Sequence, residues 1–266
     1  MQIFSITSGK GGVGKTSLVC NIALEFGRLD RKVLLIDADM GLANVDIMMG
    51  LSPEATLEQL FTGEARVADL LVEARPNVCV LPAASGVREM THLEDEQIGM
   101  LLDALSDLEV EFDVVLVDTG AGIGRNVLRF NAAAGDVIVV ATPEPTSMTD
   151  AYALMKVLSQ STGVKRFRLV VNQVESRKQA LRVYRHLTNV ADQYLDIAID
   201  FAGFVLRDPN VTQAVIEREL LLERFPDSPA SACIRQLVAD LAAQANERPA
   251  SSHVQFFWKR LLQAGT

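Results

Sequence analysis

The chain of 266 residues contains few of the residue types that mark several large protein classes. Its three cysteines, Cys20, Cys79 and Cys233, lie far apart and match no metal-binding or redox spacing. An odd number of scattered cysteines argues against a disulfide framework. We therefore expect small, buried core residues in a protein of a reducing compartment.

Long apolar runs and an excess of positive charge are also missing. No run approaches the about 18 apolar residues of a membrane-spanning helix, and residues 1–10 lack the pattern of a signal peptide. The net charge of -9 argues against general affinity for nucleic acid, which needs clustered basic side chains. We expect a cytoplasmic protein, and peripheral binding to a membrane surface stays open.

Short β-rich apolar runs alternate along the chain with helical patterns. Most runs are nearly continuously apolar, as in strands that are buried on both faces. This order predicts an α/β fold of three layers, with a mostly parallel central sheet of about seven or eight strands and helices on both faces. The predicted strands are 3–6, 33–36, 78–81, 114–117, 137–140, 169–171 and 202–205, and helical patterns cover 18–26, 98–105 and 152–158.

The stretch SGKGGVGKT, residues 8–16, contains a phosphate-binding loop between a predicted strand and a predicted helix. Its glycines let backbone N–H groups converge on phosphate oxygens, and the helix aims its positive end at them. Lys15 would neutralise the outer phosphates, and the Thr16 hydroxyl would bind Mg²⁺. Lys10 is a second lysine that this motif does not require. The predicted phosphate-binding residues are Gly11, Gly12, Val13, Gly14, Lys15, Thr16 and Ser17.

Carboxylates end two of the predicted strands, where a magnesium site needs them. Asp37 and Asp39 lie on one side of an extended segment, and Asp118 ends a continuous hydrophobic strand in the Walker B pattern. We assign Asp118 to the water shell of the metal. Asp37 and Asp39 remain alternatives for orienting the attacking water. For an aspartate alone, a role as a turn or cap residue would be the better interpretation.

The loop with its second lysine resembles the deviant Walker A motif of the MinD/ParA ATPases. The segment Asp37–Leu51 looks like their first switch region. The segment Asp118–Lys156 is similar to flagellar-number regulators of the FlhG/FleN type, and the string PEPTSMTDAYAL within it is the most discriminating part.

This resemblance implies a role for each matching residue. Lys10 would cross a dimer interface and touch phosphate on the partner's ATP, while Lys15 would bind phosphate in its own subunit. Asp39 would position the hydrolytic water. Asp37 would support the metal or water network, so the implied metal site comprises Thr16, Asp37 and Asp118.

The resemblance also implies an adenine pocket. Asn172, in the string VVNQV, matches an asparagine that reads adenine. The loop 205–209 matches a second adenine-contacting segment and includes Leu206, Arg207 and Asp208.

The implied function is an ATP-dependent dimerising switch with slow, Mg²⁺-dependent hydrolysis of ATP to ADP and phosphate. It would regulate flagellar number and placement through an FlhF-type GTPase or a FleQ-type transcription activator. The alternatives are Min-type positioning of cell division and ParA-type segregation of DNA or cargo. A small basic helical face, Arg177, Lys178, Arg182 and Arg185, makes no strong case for direct nucleic-acid binding.

Breaker residues divide the chain into an ATPase domain at 1–245, a linker at 246–252 and a tail at 253–266. Val254, Phe257, Trp258 and Leu261 share one helical face of the tail, beside basic residues. This pattern predicts a helix that binds an anionic membrane surface. The alternative is that the tail packs onto the ATPase domain. The two interpretations are compatible if the tail is docked without ATP and released to the membrane when ATP binds.

Overall fold

The computed structural model describes residues 1–39, 44–53, 55, 57–82, 96–97, 100, 111–245 and 260–261. Its centre is an eight-stranded sheet in the order β3-β4-β2-β5-β1-β6-β7-β8. The strands are β1 (Gln2–Ser8), β2 (Val33–Ala38), β3 (Val72–Arg75), β4 (Val78–Leu81), β5 (Val114–Ala121), β6 (Asp136–Ala141), β7 (Arg166–Val174) and β8 (Ala198–Leu206).

Helices connect most of these strands. The described helices are α1 (Lys15–Arg28), α2 (Val45–Met49), α3 (Leu57–Phe61), α4 (Val67–Leu70), α5 (Arg125–Ala134), α6 (Pro145–Thr162), α7 (Arg177–Tyr194), α8 (Pro209–Glu217), α9 (Leu221–Arg224) and α10 (Pro229–Ala245). The predicted helices at 18–26 and 152–158 lie within α1 and α6. The pattern at 98–105 falls outside the described residues except at residue 100.

The end of β1 lies at the point where the strand order reverses, with earlier connections running to one side of the sheet and later ones to the other. β1 pairs in parallel with β5 on one side and with β6 on the other. In such sheets ligands bind beyond the carboxyl ends of the strands at this switch point. The phosphate-binding loop follows β1 and therefore occupies that position.

The seven predicted strands are confirmed, and β3 was not predicted. It pairs antiparallel with β4 at the edge of the sheet. Its sequence, VEAR, has two charged residues in four, so it lacks the apolar run that marks the inner strands.

Successive side chains of each strand point to opposite faces of the sheet, so the hydrophobic core has one part on each face. Phe4 and Ile6 of β1 pack with α1 and α10, whereas Ile3 packs on the opposite face near α5. Helices α6 and α7 extend that second face over β6 and β7. The expectation of strands buried on both sides is confirmed. Of the cysteines, Cys20 is buried, while Cys79 and Cys233 are half-buried.

The C-terminal part is described only to Ala245 and again at 260–261. Helix α10 ends at Ala245. The linker assigned to 246–252 lies outside the described residues, as does the tail at 253–266 apart from Arg260 and Leu261. The division into domain, linker and tail therefore stays a prediction.

Candidate nucleotide-binding site

The loop between β1 and α1 requires glycine at two positions for clear steric reasons. Gly14 has φ 85°, and a Cβ there would lie 2.6 Å from Nδ2 of Asn172. A Cβ on Gly9 would overlap the backbone of Asp150 in α6. No side chain among the described residues caps the first turn of α1. Its N–H groups therefore stay available for phosphate oxygens.

Lys15, Thr16 and Asp118 form a buried polar cluster at the start of α1. Lys15 Nζ donates to Asp118 Oδ1 at 2.6 Å, and Thr16 Oγ1 donates to Asp118 Oδ2 at 2.7 Å. The side chains of Lys15 and Asp118 are only 8% and 1% exposed. Burial raises the pKa of Asp118, and the contacts with Lys15 and Thr16 oppose that rise. The cluster holds both P-loop side chains beside the cleft.

Asp37 lies directly opposite Asp118 in the register of the parallel pair β2–β5. Its carboxylate accepts backbone N–H groups of Asp39 at 3.0 Å and of Asn44 and Val45 at 3.2 Å each. Burial and the charge of Asp118 raise the pKa of Asp37 to about 7. Asp37 thus fixes the backbone at Asp39 and again at Asn44 and Val45. This arrangement favours Asp39 as the water-positioning residue, which stays a prediction.

A cleft of about 800 Å³ opens above these residues. Asp39 lines it, together with every predicted phosphate-binding residue. The sequence analysis missed further lining residues on three other segments. They lie at the end of β5 and the start of α5, on α2, and at the end of α8: Gly120, Arg125, Asn126, Ile47, Val215 and Arg218. The glycines between β5 and α5 are the signal that could have located the first group, because glycine permits close backbone approach.

A second cavity of about 210 Å³ adjoins the P-loop through Gly14 and Ser17. All four predicted adenine-pocket residues line it: Asn172, Leu206, Arg207 and Asp208. Asn172 is buried, and its Nδ2 donates to the carbonyl oxygen of Val13 at 2.7 Å. The Asp208 carboxylate caps α8 by accepting Asn210 N–H at 2.9 Å. The fold therefore uses that carboxylate to shape the pocket wall.

Lys10 does not line the cleft of its own chain. Its Nζ donates to Glu144 Oε2 at 2.6 Å and to Thr146 Oγ1 at 3.0 Å. Glu144 and Thr146 belong to the PEPTS string at the start of α6. The contact lowers the pKa of Glu144. The Lys10 and Glu144 side chains are 38% and 59% exposed, so this ion pair lies at the surface.

The residues present fit a nucleotide with Mg²⁺. The Thr16 hydroxyl and the Asp118 carboxylate are hard oxygen donors of the kind that Mg²⁺ prefers. Where the structure describes the chain, no group of three or more His, Cys, Asp and Glu side chains could hold a metal. A small number of protein ligands suits Mg²⁺, because phosphate oxygens and water would complete its coordination. Fold and site together define a P-loop nucleotide-binding protein.

Comparison with known proteins identifies the family. The AAA_31 model, described as an AAA domain, matches residues 1–171. The chain is 41% identical to the antiactivator FleN of Pseudomonas aeruginosa, over 99% of this chain and 94% of that protein. It is 32% identical to the flagellum site-determining protein YlxH of Helicobacter pylori, over 98% and 90% of the two chains.

Solved structures show the same fold. The cell-division ATPase MinD of Pyrococcus furiosus superposes with a TM-score of 0.76 at 23% identity, covering 91% of this chain and 99% of that one. MinD of Pyrococcus horikoshii, complexed with Mg-ADP, gives 0.75 at 22% identity, covering 92% and 98%. The chain belongs to the MinD/ParA family of P-loop ATPases, in the group that contains FleN. The predicted family and fold are thereby confirmed.

Proposed function

We propose that this chain is an ATP-controlled switch that regulates flagellar number and placement. ATP brings two copies together across their nucleotide clefts, and hydrolysis to ADP and phosphate separates them. The similarity to FleN and YlxH supports the flagellar role. The observation that carries the switch is the position of Lys10, which adjoins the P-loop yet is held outside its own cleft by Glu144 and Thr146.

Each site residue has a defined task in this proposal. Backbone N–H groups of residues 11–14 and the Lys15 ammonium hold the phosphates. Thr16 and Asp118 would hold Mg²⁺ beside the phosphates. Mg²⁺ when bound neutralises charge on the phosphate oxygens. Asp39 orients the attacking water, and the adenine occupies the cavity beside Asn172. Hydrolysis is slow and Mg²⁺-dependent, as suits a regulatory timer.

Lys10 can leave its contacts at little cost. An exposed ion pair contributes about 0–1 kcal/mol because water and salt screen it. In a two-fold dimer, each Lys10 would exchange Glu144 for phosphate on the other copy's ATP. A charge-assisted contact with phosphate in a cleft closed from water is the stronger of the two. ATP in one copy is thereby sensed by a lysine of the other.

Two variants test the switch by size-exclusion chromatography with ATP and Mg²⁺. Asp39→Ala should accumulate as an ATP-loaded dimer, because water is no longer oriented for hydrolysis. Lys10→Ala should stay monomeric while still binding a fluorescent ATP analogue. If both variants elute as the wild type does, the dimer switch is rejected.

The tail is proposed to be docked without ATP and released with it. Leu261 is fully buried in the cluster that contains Ile3, Phe130 and Ala134. Arg129 Nη2 donates to the carbonyl oxygen of Leu261 at 3.4 Å. Once released, two tails of a dimer would bind an anionic membrane surface together. None of the described helices is both long and apolar enough to cross a membrane.

Vesicle pelleting tests the tail. The Asp39→Ala protein with ATP should pellet with anionic vesicles, and the same protein truncated after residue 252 should not. Equal pelleting of the two rejects the membrane role.

The partner is proposed to be a flagellar regulator, either an FlhF-type GTPase or a FleQ-type transcription activator. The FleN relative is named as an antiactivator, which favours the transcription activator. Capture of either partner by the Asp39→Ala protein, compared with Lys10→Ala as bait, distinguishes them. An unchanged number of flagella in a deletion strain would contradict the biological role.

A further inference from the structure

The outer edge of β8, the last strand in the sheet order, is open. Within the described ranges no further strand pairs with β8 on the side away from β7. Arg207 N–H donates to the carbonyl oxygen of Val174 in β7 at 2.8 Å. Successive residues of a strand present their backbone groups to opposite sides, so the N–H and C=O groups of Leu206 and Phe204 point outward.

The opposite edge strand, β3, is protected in ways that β8 is not. β3 has only four residues, two of them charged, and its Arg75 pairs with Glu223 at 2.6 Å. Short length and charge keep an edge from pairing with other chains. β8 has nine residues, with neither a charge nor a proline from Phe201 to Leu206. Its one protective feature there is a bulge at Ala202. β8 therefore keeps the capacity to accept another strand.

A groove of about 680 Å³ runs along this open edge. Phe201 and Phe204 of β8 line it together with Cys233 and Gln236 of α10. Both phenylalanines and Cys233 are half-buried. The open part of the edge, residues 201–206, is about 17 Å long, which is the length of a short extended segment.

Helix α10 runs back along β8 from its carboxyl end. Ala230, at the start of the helix, donates its N–H to the Asp208 carboxylate just beyond the strand at 3.2 Å. Further along, a Cβ on Gly203 would lie 3.2 Å from Leu237 Cδ1. Asp240 follows Leu237 by about one helical turn and therefore lies toward the start of the strand.

Opposite charges mark the two ends of the groove. Arg177 begins α7, three residues after Val174, which is in register with Leu206 at the carboxyl end of β8. Arg177 and Asp240 both line the groove, and both are exposed. A segment with an acidic side chain at one end and a basic side chain at the other would meet an opposite charge at each end.

We propose that this groove binds an extended segment of a partner protein, which adds a ninth strand to the sheet beside β8. The outward backbone groups of Phe204 and Leu206 would pair with the backbone of that segment. Apolar side chains of the segment would pack on the two phenylalanines, and its charged ends would meet Arg177 and Asp240. This inference goes beyond the proposed function, because the groove shares no lining residue with the cleft that contains the P-loop.

The shape of the groove favours a single segment over a second copy of the chain. In an edge-to-edge pair, β8 of each copy would have to reach the other from within its own groove. Helix α10 of each copy would then approach the other copy as well. A single extended segment needs room only for its own backbone and side chains, and it leaves both helices in place.

The test uses a synthetic heptapeptide, EVTVTVK, that is blocked at both ends and carries a fluorescent dye. It should bind the full chain, as measured by fluorescence anisotropy. It should also slow alkylation of Cys233, which lines the groove, whereas the half-buried Cys79 in β4 serves as an unchanged reference. The peptide EVPVPVK has the same ends and valines but lacks two N–H donors. It should bind at least about 10-fold more weakly.

A charge variant tests the ends of the groove. Arg177→Glu makes both ends acidic, and an acidic residue in the first turn of α7 is compatible with the helix. Arg185→Glu is the matched control, because it changes an exposed arginine of the same helix that does not line the groove. Compared with this control, Arg177→Glu should shift the preference from EVTVTVK toward KVTVTVK by about 2- to 5-fold.

The results distinguish strand addition from other forms of binding. Absence of binding, equal binding of the threonine and proline peptides, or unchanged alkylation of Cys233 would each overturn the proposal. An equal preference in the two arginine variants would overturn the role of Arg177. Slower alkylation of Cys233 when the protein alone is concentrated would assign the edge to a second copy and also overturn the proposal. Failure of ATP-dependent dimerisation would reject the proposed switch and leave the peptide results unaffected.

Discussion

Replacing Lys15 with methionine should strongly destabilise the nucleotide-free protein. Lys15 is the cation paired with Asp118 at 2.6 Å, and both side chains are almost fully buried. Asp37 lies beside Asp118 in the register, so the substitution leaves two neighbouring buried carboxylates without that cation. Removing one partner of a buried ion pair costs about 3–5 kcal/mol, and we expect a loss of that size.

The assay is urea unfolding followed by far-ultraviolet circular dichroism, without nucleotide or Mg²⁺. Lys10→Met is the matched control, because it removes a lysine with an ion pair of the same 2.6 Å length at the surface. It should cost no more than about 1 kcal/mol. A second substitution, Asp118→Asn in the Lys15→Met protein, should restore most of the lost stability because it removes the unpaired charge.

Two results would refute this reasoning. Equal losses for Lys15→Met and Lys10→Met would show that burial does not decide the energy of the pair. Additive losses for Lys15→Met and Asp118→Asn would show that the two groups are not coupled in the folded protein.

Three further predictions concern the loop, the lysine contact and the tail. Gly14→Ala should weaken binding of a fluorescent ATP analogue at least about 10-fold, because its Cβ would lie 2.6 Å from Nδ2 of Asn172 and residue 14 has a left-handed φ of 85°. Gly63→Ala, at φ 76° with open space around it, should destabilise the fold similarly but leave that affinity unchanged. Glu144→Gln should lower the ATP concentration needed for dimerisation by up to about 5-fold, because Lys10 is released from an exposed pair; titration by light scattering measures this, and a higher requirement contradicts it. Leu261→Ala should lower the free energy of unfolding by about 2–4 kcal/mol, since this leucine is fully buried; no change in urea denaturation would mean that the tail is not docked.

Local sequence was sufficient to predict a feature wherever residues close together in the chain form that feature. The P-loop was predictable because glycines, Lys15 and Thr16 act within a few residues of one another. The inner strands were predictable because burial on both faces demands continuous apolar runs, as in β5 up to Asp118. The adenine-binding role of Asn172 was predicted only through resemblance, since an asparagine after a strand is ordinarily a turn residue, and it stays a prediction.

Tertiary structure decided the contacts between distant segments. The partners of Lys10 are 134 and 136 residues away, and no spacing rule reaches that far. The edge strand β3 depends on pairing with β4, because its own four residues carry no apolar run.

The sequence by itself determined the phosphate-binding loop, the seven apolar strands of the sheet and the family of this protein. Only the tertiary structure decided what surrounds that chemistry: Asp37 accepting backbone N–H groups of Asn44 and Val45, Leu261 buried in the core, and cleft-lining residues gathered from α2, α5 and α8. The physical reason is that strand and helix patterns report burial along the chain. Exposure at a shared cleft depends instead on how separate segments are brought together by the sheet order.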